Sequence, residues 1–206
     1  MCGEVIYERG RALYLNITNR CTNECRFCIR NFSRGVFGYD LMLSKEPTFE
    51  EIVCALEPKL GKYYEFVFTG LGEPTIRIDE VLRITRYLHE NGERVRLDTN
   101  GHGELVHGRD IVSMLIDAGL DAVSISLNAE RKDKYDWLCR PKFENAYETI
   151  LNFAGRCARK IETQLTAVSI EGIDFGKCEK ISRDLGATFR IREYFGPEIS
   201  IPDYLR

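Results

Sequence analysis

Residues 21–28 read CTNECRFC, and this octapeptide decides how the rest of the chain is interpreted. It holds Cys21, Cys25 and Cys28 in a C-x3-C-x2-C spacing. Three thiolates so close together can wrap a short loop around one metal cluster. A [4Fe–4S] cluster normally takes four cysteines, so three would leave one iron without a protein ligand. An open position is what a reactive metal site needs, by the logic that separates catalytic from structural zinc.

The octapeptide is also compatible with a zinc site that has a distant fourth ligand. Zinc modules usually combine two cysteine or histidine pairs, and the sequence has no second pair. The three histidines are not spaced as a metal site. We interpret most of the remaining cysteines as core or surface thiols, with Cys139 a weaker candidate for a working thiol. These five are Cys2, Cys54, Cys139, Cys157 and Cys178.

Around the octapeptide, short apolar runs alternate with amphipathic stretches. Six runs predict strands, at residues 12–17, 65–69, 94–98, 122–127, 164–170 and 188–193. Five stretches predict helices, at residues 48–57, 79–90, 109–118, 145–158 and 175–185. Thr48 and Glu51 form a capping-box pair at the start of the first helix.

This alternation predicts an α/β fold with a parallel sheet and right-handed crossovers. A closed eightfold barrel usually needs about 250 residues, and the chain has 206. A partial (β/α)6 barrel of the TIM type fits that length better than a flat doubly wound sheet, although periodicity alone does not separate the two. We expect a single domain over residues 1–206, with a short C-terminal tail from about residue 196. Its site should lie at the carboxyl ends of the strands.

Polar or glycine-rich motifs follow the first four predicted strands at those carboxyl ends. The octapeptide follows the first strand, GLGEP (70–74) the second and DTNG (98–101) the third, while Ser126 and Asn128 end the fourth. The glycines of GLGEP allow a close backbone approach to a ligand, and Glu73 could accept a bond from an ammonium or hold the turn. An ordinary strand-to-loop turn is the alternative for both glycine-containing motifs.

The octapeptide with Phe27 before its last cysteine, followed by Gly70-Leu71-Gly72-Glu73-Pro74, resembles the signature of the radical SAM superfamily. The resemblance extends from about residue 13 to residue 195. It implies a [4Fe–4S] cluster on the three cysteines, with S-adenosylmethionine chelating the open iron. It also implies a one-electron reductant of the flavodoxin or ferredoxin type, and a 5′-deoxyadenosyl radical that abstracts hydrogen from a substrate.

Positions expected to contact S-adenosylmethionine share a place in these motifs or at the strand ends. They are Phe27, Gly70, Gly72, Glu73, Asp98, Asn100, Ser126, Asn128 and Ser169. Arg190 and Arg192 share one face of the last strand, where a guanidinium suits a substrate carboxylate or phosphate. A salt bridge at the rim is the alternative for both arginines. The sequence identifies neither the substrate nor a further catalytic residue.

Within the superfamily, the segment LYLNITNRCTNECRFCIRNF (13–32) and the short length resemble the TatD-associated radical SAM proteins. That likeness implies a TatD-type metal-dependent nuclease as a partner. Radical-activating enzymes for glycyl-radical partners are the main alternative. A non-catalytic iron–sulfur electron carrier or sensor, and a structural zinc protein, are alternatives outside the superfamily.

Charge and hydropathy limit the classes of partner. The net charge of −3 and the pI of about 5.8 give no electrostatic case for direct binding to nucleic acid or membranes. No apolar run approaches the roughly 20 residues of a membrane span, and the first residues lack the core of a signal peptide. We therefore expect a cytosolic protein.

Overall fold

The computed structural model describes residues 3–205, so Cys2 lies outside the described residues. Its main sheet has seven strands in the order β1-β2-β5-β6-β7-β8-β9. The six strands from β2 onward are parallel, whereas β1 is antiparallel to β2. The strands are β1 (Ile6–Arg9), β2 (Ala12–Asn16), β3 (Gly35–Val36), β4 (Tyr39–Asp40), β5 (Glu65–Thr69), β6 (Val95–Thr99), β7 (Ala122–Ser126), β8 (Glu162–Val168) and β9 (Thr188–Arg192). The six predicted strands and their parallel arrangement are confirmed.

All five predicted helices are present, and two short helices were not predicted. The helices are α1 (Phe49–Leu56), α2 (Ile78–Glu90), α3 (Gly103–His107), α4 (Ile111–Asp117), α5 (Lys132–Cys139), α6 (Ala146–Cys157) and α7 (Phe175–Asp184). Helix α1 begins with the predicted capping box, in which Thr48 and Glu51 satisfy each other's backbone N–H groups. The additions are α3 and α5, and α5 occupies a stretch that the sequence assigned to a loop.

The two faces of the parallel sheet differ in chemistry because side chains alternate along each strand. Leu13, Leu15, Phe66 and Phe68 are fully buried in the main core, which also holds the apolar sides of the helices. The alternate residues point to the opposite, inner face. They include Tyr14, Glu65, Arg96, Asp98, Ser124, Ser126, Arg190 and Arg192. The inner face is therefore polar and charged.

A second small core lies where the first strands meet the segment that follows Cys28. Tyr7 on β1 stacks on Tyr14 at 5.1 Å between ring centroids and lies 5.4 Å from Tyr39 of the β3–β4 hairpin. Asn16 donates from Nδ2 to the Leu41 carbonyl at 2.8 Å. The hairpin is thus anchored to the strand that leads into the octapeptide, and neither it nor β1 was predicted.

No helix in the part of the chain that the structure describes has both the length and the apolar composition needed to cross a bilayer.

Candidate metal-cluster site

The octapeptide forms a loop that runs beside the end of α5. Arg26 donates its backbone N–H to the Leu138 carbonyl at 2.9 Å, and Glu24 donates to the Cys139 carbonyl at 3.2 Å. Lys142 closes the pairing by donating to the Thr22 carbonyl at 3.0 Å. Main-chain hydrogen bonds therefore hold this loop in place.

N–H groups point at two of the three sulfur atoms of this loop. The Cys21 Sγ accepts from the Asn23 backbone at 3.4 Å and from Asn100 Nδ2 at 3.8 Å. Arg30 donates from Nε to the Cys28 Sγ at 3.5 Å. Donors of this kind stabilise negative charge on sulfur. The pKa of Cys21 is nevertheless raised to about 12, first by burial and then by the charge of Glu73, while the Asn23 N–H opposes the rise. A bound metal removes the thiol proton outright, so the donor set suits metal-bound thiolates.

Cys139 lies beside Cys25 and is not an isolated core thiol. The Cys139 side chain and burial together raise the pKa of Cys25 well above its ordinary value. Cys139 Sγ in turn accepts from Asn128 Nδ2 at 3.5 Å. The sequence treated Cys139 as one of five scattered cysteines, and α5 brings it to the cysteine loop because its last turn packs there.

The donor set fits a cluster better than a single ion. Among residues 3–205, no three His, Cys, Asp or Glu side chains converge closely enough to hold one metal ion. Each cysteine of a [4Fe–4S] cluster binds a different iron, so its ligands need not converge on one point. Three partly exposed cysteines on one loop, with N–H groups directed at two of their sulfurs, match that requirement.

Glu73 joins the ends of two neighbouring strands. Its buried carboxylate accepts from the Thr75 backbone at 3.0 Å, from the Thr75 hydroxyl at 2.7 Å, from the Thr99 hydroxyl at 2.6 Å and from the Asn100 backbone at 2.6 Å. Burial raises the pKa of Glu73, and these bonds oppose the rise because each stabilises the ionised form. Of the two sequence interpretations, the contacts support the one in which Glu73 holds the turn.

The packing of the chain leaves no room for a side chain at either glycine of GLGEP. A Cβ on Gly70, whose φ is +119°, would lie 2.1 Å from Asn16 Oδ1. A Cβ on Gly72 would lie 2.4 Å from the Thr18 carbonyl oxygen and 2.5 Å from the Arg20 carbonyl oxygen. GLGEP therefore packs against the backbone that enters the cysteine loop.

His102 belongs to a buried polar network beneath the cysteine loop. Its Nδ1 lies 3.0 Å from the Thr22 hydroxyl, and its Nε2 lies 3.1 Å from the Tyr135 hydroxyl. Asn100 donates from Nδ2 to the Thr22 hydroxyl at 2.8 Å, and Asn23 donates from Nδ2 to the Tyr135 hydroxyl at 3.2 Å. Burial lowers the pKa of His102 to about 4, so the ring is neutral at pH 7. The network ties β6, the cysteine loop and α5 together.

Arg192 connects the polar residues that end the fourth parallel strand. Its NH2 group donates to the Ser126 hydroxyl and to Asn128 Oδ1, both at 3.3 Å. Its Nε is buried and has no hydrogen-bond partner among residues 3–205. Asp98 lies nearby, where burial raises its pKa and Arg96 and Arg192 oppose that rise. Ser126, Asn128, Asp98 and Arg192 thus meet on the inner face.

Three further predicted positions have other contacts. The exposed Ser169 accepts from the Tyr194 backbone N–H at 2.9 Å and so holds the C-terminal segment. Arg190 is exposed on β9, and its charge acts on both Asp98 and Arg192. Phe27 packs against the main core, where it supports the loop from below.

The two unpredicted helices hold further residues of this region. Tyr135 and Trp137 lie on α5, and the αL C-cap of that helix is Arg140. His102 is the N-cap of α3, and His107 ends that helix. His102 could not be recognised as a site residue, since its only signal was a position two residues after Asn100.

Comparisons with known proteins agree with this geometry. The family model of the radical SAM superfamily matches residues 15–185. A probable GTP 3′,8-cyclase of Methanocaldococcus jannaschii is 27% identical over 187 residues, which cover 89% of this chain and 59% of that protein. A candidate glycyl-radical enzyme activating enzyme of the same organism is 30% identical over 129 residues, 56% of this chain and 52% of that one. The chain therefore spans little more than half the length of these relatives.

Solved structures share the fold at low sequence identity. Streptococcus suis SuiB bound to precursor peptide SuiA superposes with a TM-score of 0.69 at 14% identity, over 92% of this chain and 40% of that one. TYW1 with a bound lysine-pyruvate adduct gives a TM-score of 0.60 at 19% identity, over 92% of this chain and 67% of that one.

Proposed function

Because the chain belongs to the radical SAM superfamily, whose members are enzymes that use a [4Fe–4S] cluster and S-adenosylmethionine, we propose that it cleaves S-adenosylmethionine reductively and passes the radical to a substrate. One observation carries the proposal. The three cysteines lie on one loop after β2, beside the carboxyl ends of the parallel strands, and N–H groups of Asn100 and Arg30 point at two of their sulfurs.

When bound, the cluster supplies an electron to the sulfonium of S-adenosylmethionine, whose homolysis gives methionine and a 5′-deoxyadenosyl radical that abstracts hydrogen. The residues of the chain would hold the cluster and orient the strand ends around it. Cys21, Cys25 and Cys28 would hold the cluster. Asn100 and Arg30 offset thiolate charge, and Glu73 keeps the strand ends that carry Asp98 and Asn100 in register with the cysteine loop.

The inner face is where we expect the substrate to bind. Arg192 has an unpartnered, buried Nε in the described part of the chain, and a buried donor of this kind is costly unless a ligand accepts from it. Its neighbours Ser126 and Asn128 offer further polar contacts. These features favour a substrate that carries a carboxylate or phosphate, with Arg190 at the outer rim.

A finer proposal concerns the partner. Among residues 3–205, the last strand, β9, pairs with β8 alone, and its Ile191 is 48% exposed, so the sheet stays open at this edge. An open edge suits a large substrate or a partner protein that completes the lid. The sequence likeness to TatD-associated proteins favours a TatD-type nuclease as that partner. Co-purification from the native host tests this, and elution of the protein alone would argue against it.

Activation of a glycyl-radical enzyme is a second candidate function. The candidate activating enzyme of Methanocaldococcus jannaschii that matches 56% of this chain favours it. In that case the substrate is a backbone glycine on another protein. Incubation with a glycyl-radical enzyme from the same host should then produce the glycyl radical signal in an electron paramagnetic resonance spectrum.

The direct test of the main proposal is product formation. Anaerobically reconstituted protein, S-adenosylmethionine and dithionite should give 5′-deoxyadenosine and methionine, slowly, without added substrate. Exposure to air should abolish the reaction, because an iron with an exchangeable ligand is open to oxidants. An intact reduced cluster that leaves both products at background would support the non-catalytic electron carrier instead.

A further inference from the structure

Two surface pockets border the cysteine loop. One, of about 600 Å³, is lined by Cys21, and the other, of about 350 Å³, by Cys25 and Cys28. The polar residues of the inner face, such as Arg192 and Asn128, do not line either pocket. The cluster position can therefore be reached from a side of the protein other than the inner face, where we expect the substrate to bind.

The walls of these pockets are strongly basic. They contain five basic residues and a single acidic one, Glu24. We call the five the basic collar, and they are Arg20, Arg26, Arg30, Arg140 and Lys142. The whole chain has a net charge of −3, so the collar is a local excess of positive charge. Arg140 and Lys142 also border a neighbouring pocket whose lining includes Asp136, Glu144 and Glu148.

Ion pairs within the chain neutralise only part of the collar. Arg20 pairs with Glu46 at 2.7 Å, and Arg140 pairs with Glu24 at 3.5 Å. The other three collar residues form no salt bridge within residues 3–205, and they are Arg26, Arg30 and Lys142. Three positive charges therefore remain around the loop.

The cluster accounts for only one of these three charges. Arg30 donates to the Cys28 sulfur and to the Asn19 carbonyl, so its charge serves the metal site. Arg26 lies over the Trp137 ring at 4.3 Å and is exposed, and Lys142 is exposed as well. Arg26 donates from Nε to the Trp137 carbonyl at 2.9 Å, which is a neutral acceptor, so the positive charges of Arg26 and Lys142 are not balanced by a carboxylate within residues 3–205.

We propose that the basic collar is the docking surface of an acidic one-electron carrier protein of the flavodoxin or ferredoxin type. The proposal rests on the proposed function, because that function requires an electron at the cluster. The step makes and breaks no covalent bond: one electron leaves the reduced carrier, which is oxidised, and reduces the cluster. Opposite charges on the two surfaces would steer the carrier to the pockets that border the cysteine loop.

A protein carrier fits the collar better than a nucleic acid. Nucleic-acid sites that depend on phosphate contacts commonly use about 6–10 of them, whereas the collar leaves three unpaired charges. Those charges surround the electron entry point and do not form a long stripe. The surface that complements the collar is a compact acidic patch around the redox centre of a carrier protein.

The test compares two double charge reversals of equal net charge. Arg26→Glu/Lys142→Glu changes the collar, and Arg159→Glu/Lys160→Glu changes exposed residues just before β8, at the opposite ends of the strands. Reduced flavodoxin is mixed anaerobically with each reconstituted protein in a stopped-flow instrument, and bleaching of the cluster absorbance is followed. At low salt, the collar variant should be reduced about tenfold more slowly than the wild type, and the control within about twofold of it. Salt should slow the wild type towards the variant.

Dithionite separates this proposal from the proposed function. Dithionite is itself an anion, so it is used at high salt, where the charges of the collar are screened. Under that condition it should reduce the clusters of the collar variant and the wild type at equal rates. If the wild type forms no 5′-deoxyadenosine with dithionite, the proposed function fails, while the flavodoxin rates still decide the docking surface. If the charge-reversed protein loses iron, Arg26→Gln/Lys142→Gln is used at matched iron content, with a smaller slowing of about threefold expected. Equal flavodoxin rates for wild type and collar variants, or a collar that affects only binding of RNA, would overturn the proposal.

Discussion

Acid should destabilise the protein through one histidine, His102. The ring is completely buried, and each nitrogen has a single neutral partner, the Thr22 or the Tyr135 hydroxyl. Burial is the cause that lowers the pKa of His102 from 6.5 to about 4. A proton added to this ring therefore places a charge in a site that has no carboxylate to balance it.

The size of the effect follows from linkage. The pKa of His102 is lower in the folded protein than in the unfolded chain, so the unfolded chain binds the proton more readily. The stabilisation is present above about pH 6.5 and is lost as the pH falls towards about 4. At about 1.4 kcal/mol per pKa unit, the loss over that interval is about 3 kcal/mol.

The assay is urea unfolding of cluster-free protein, kept reduced and anaerobic, across that pH range. His102→Gln serves as the reference, since it titrates no proton and retains a polar side chain. All other titrating groups are common to both proteins, so the difference between their unfolding free energies isolates His102. The wild type should lose about 3 kcal/mol more than the variant between pH 7 and pH 4. Parallel curves would refute the account of the buried network.

Three further substitutions test the site. Cys25→Ala should abolish binding of about four irons after anaerobic reconstitution, while Cys54→Ala, on an exposed thiol, leaves the iron unchanged; full iron in the first protein would refute the ligand assignment. Gly72→Ala should lower both iron content and thermal stability, because the added Cβ meets two carbonyl oxygens, whereas the control Gly176→Ala on α7 should stabilise the protein by up to about 1 kcal/mol. A higher melting temperature for Gly72→Ala than for Gly176→Ala in calorimetry would contradict this. Glu73→Leu should cost about 3 kcal/mol or more in urea unfolding, as two buried backbone N–H groups lose their acceptor, and Glu73→Gln about half as much; wild-type stability of the leucine variant would be inconsistent with the bonds described.

The sheet and its helices could be predicted because their signals are local. Strands buried on both sides read as apolar runs, such as residues 65–69, and the long helices show a regular apolar face. The ends of these elements carry capping and turn residues, for example Thr48 and the Asn91-Gly92 pair. The octapeptide could be recognised for the same reason, since its three cysteines lie in one segment.

Helix α5 could not be predicted in the same way, because its stability is tertiary. Its eight residues include Lys134, which is buried in an ion pair with Glu130 and bonds the Gly172 carbonyl at 2.6 Å. A buried lysine breaks the apolar pattern that marks a helix in sequence. The proximity of Cys139 to Cys25 depends on this helix and was missed with it.

The glycines of GLGEP show a different limit of sequence reasoning. A glycine signals a close approach or an unusual backbone angle, but not what approaches. At Gly72 the approaching group is the carbonyl of Thr18, within the chain itself. Likewise, the sequence left Glu73 between a ligand contact and a structural role. Its four hydrogen bonds show the structural role, and the ligand contact stays a prediction.

The central claim is that three cysteines hold a [4Fe–4S] cluster whose fourth iron binds S-adenosylmethionine. Electron paramagnetic resonance of the reduced, reconstituted protein tests it most directly, with spectra recorded before and after addition of S-adenosylmethionine. We predict the signal of a reduced [4Fe–4S] cluster, a clear change in its g-values when S-adenosylmethionine is added, and no such signal in the Cys25→Ala protein. A cluster signal that saturating S-adenosylmethionine leaves unchanged, or that persists in Cys25→Ala, would contradict the account.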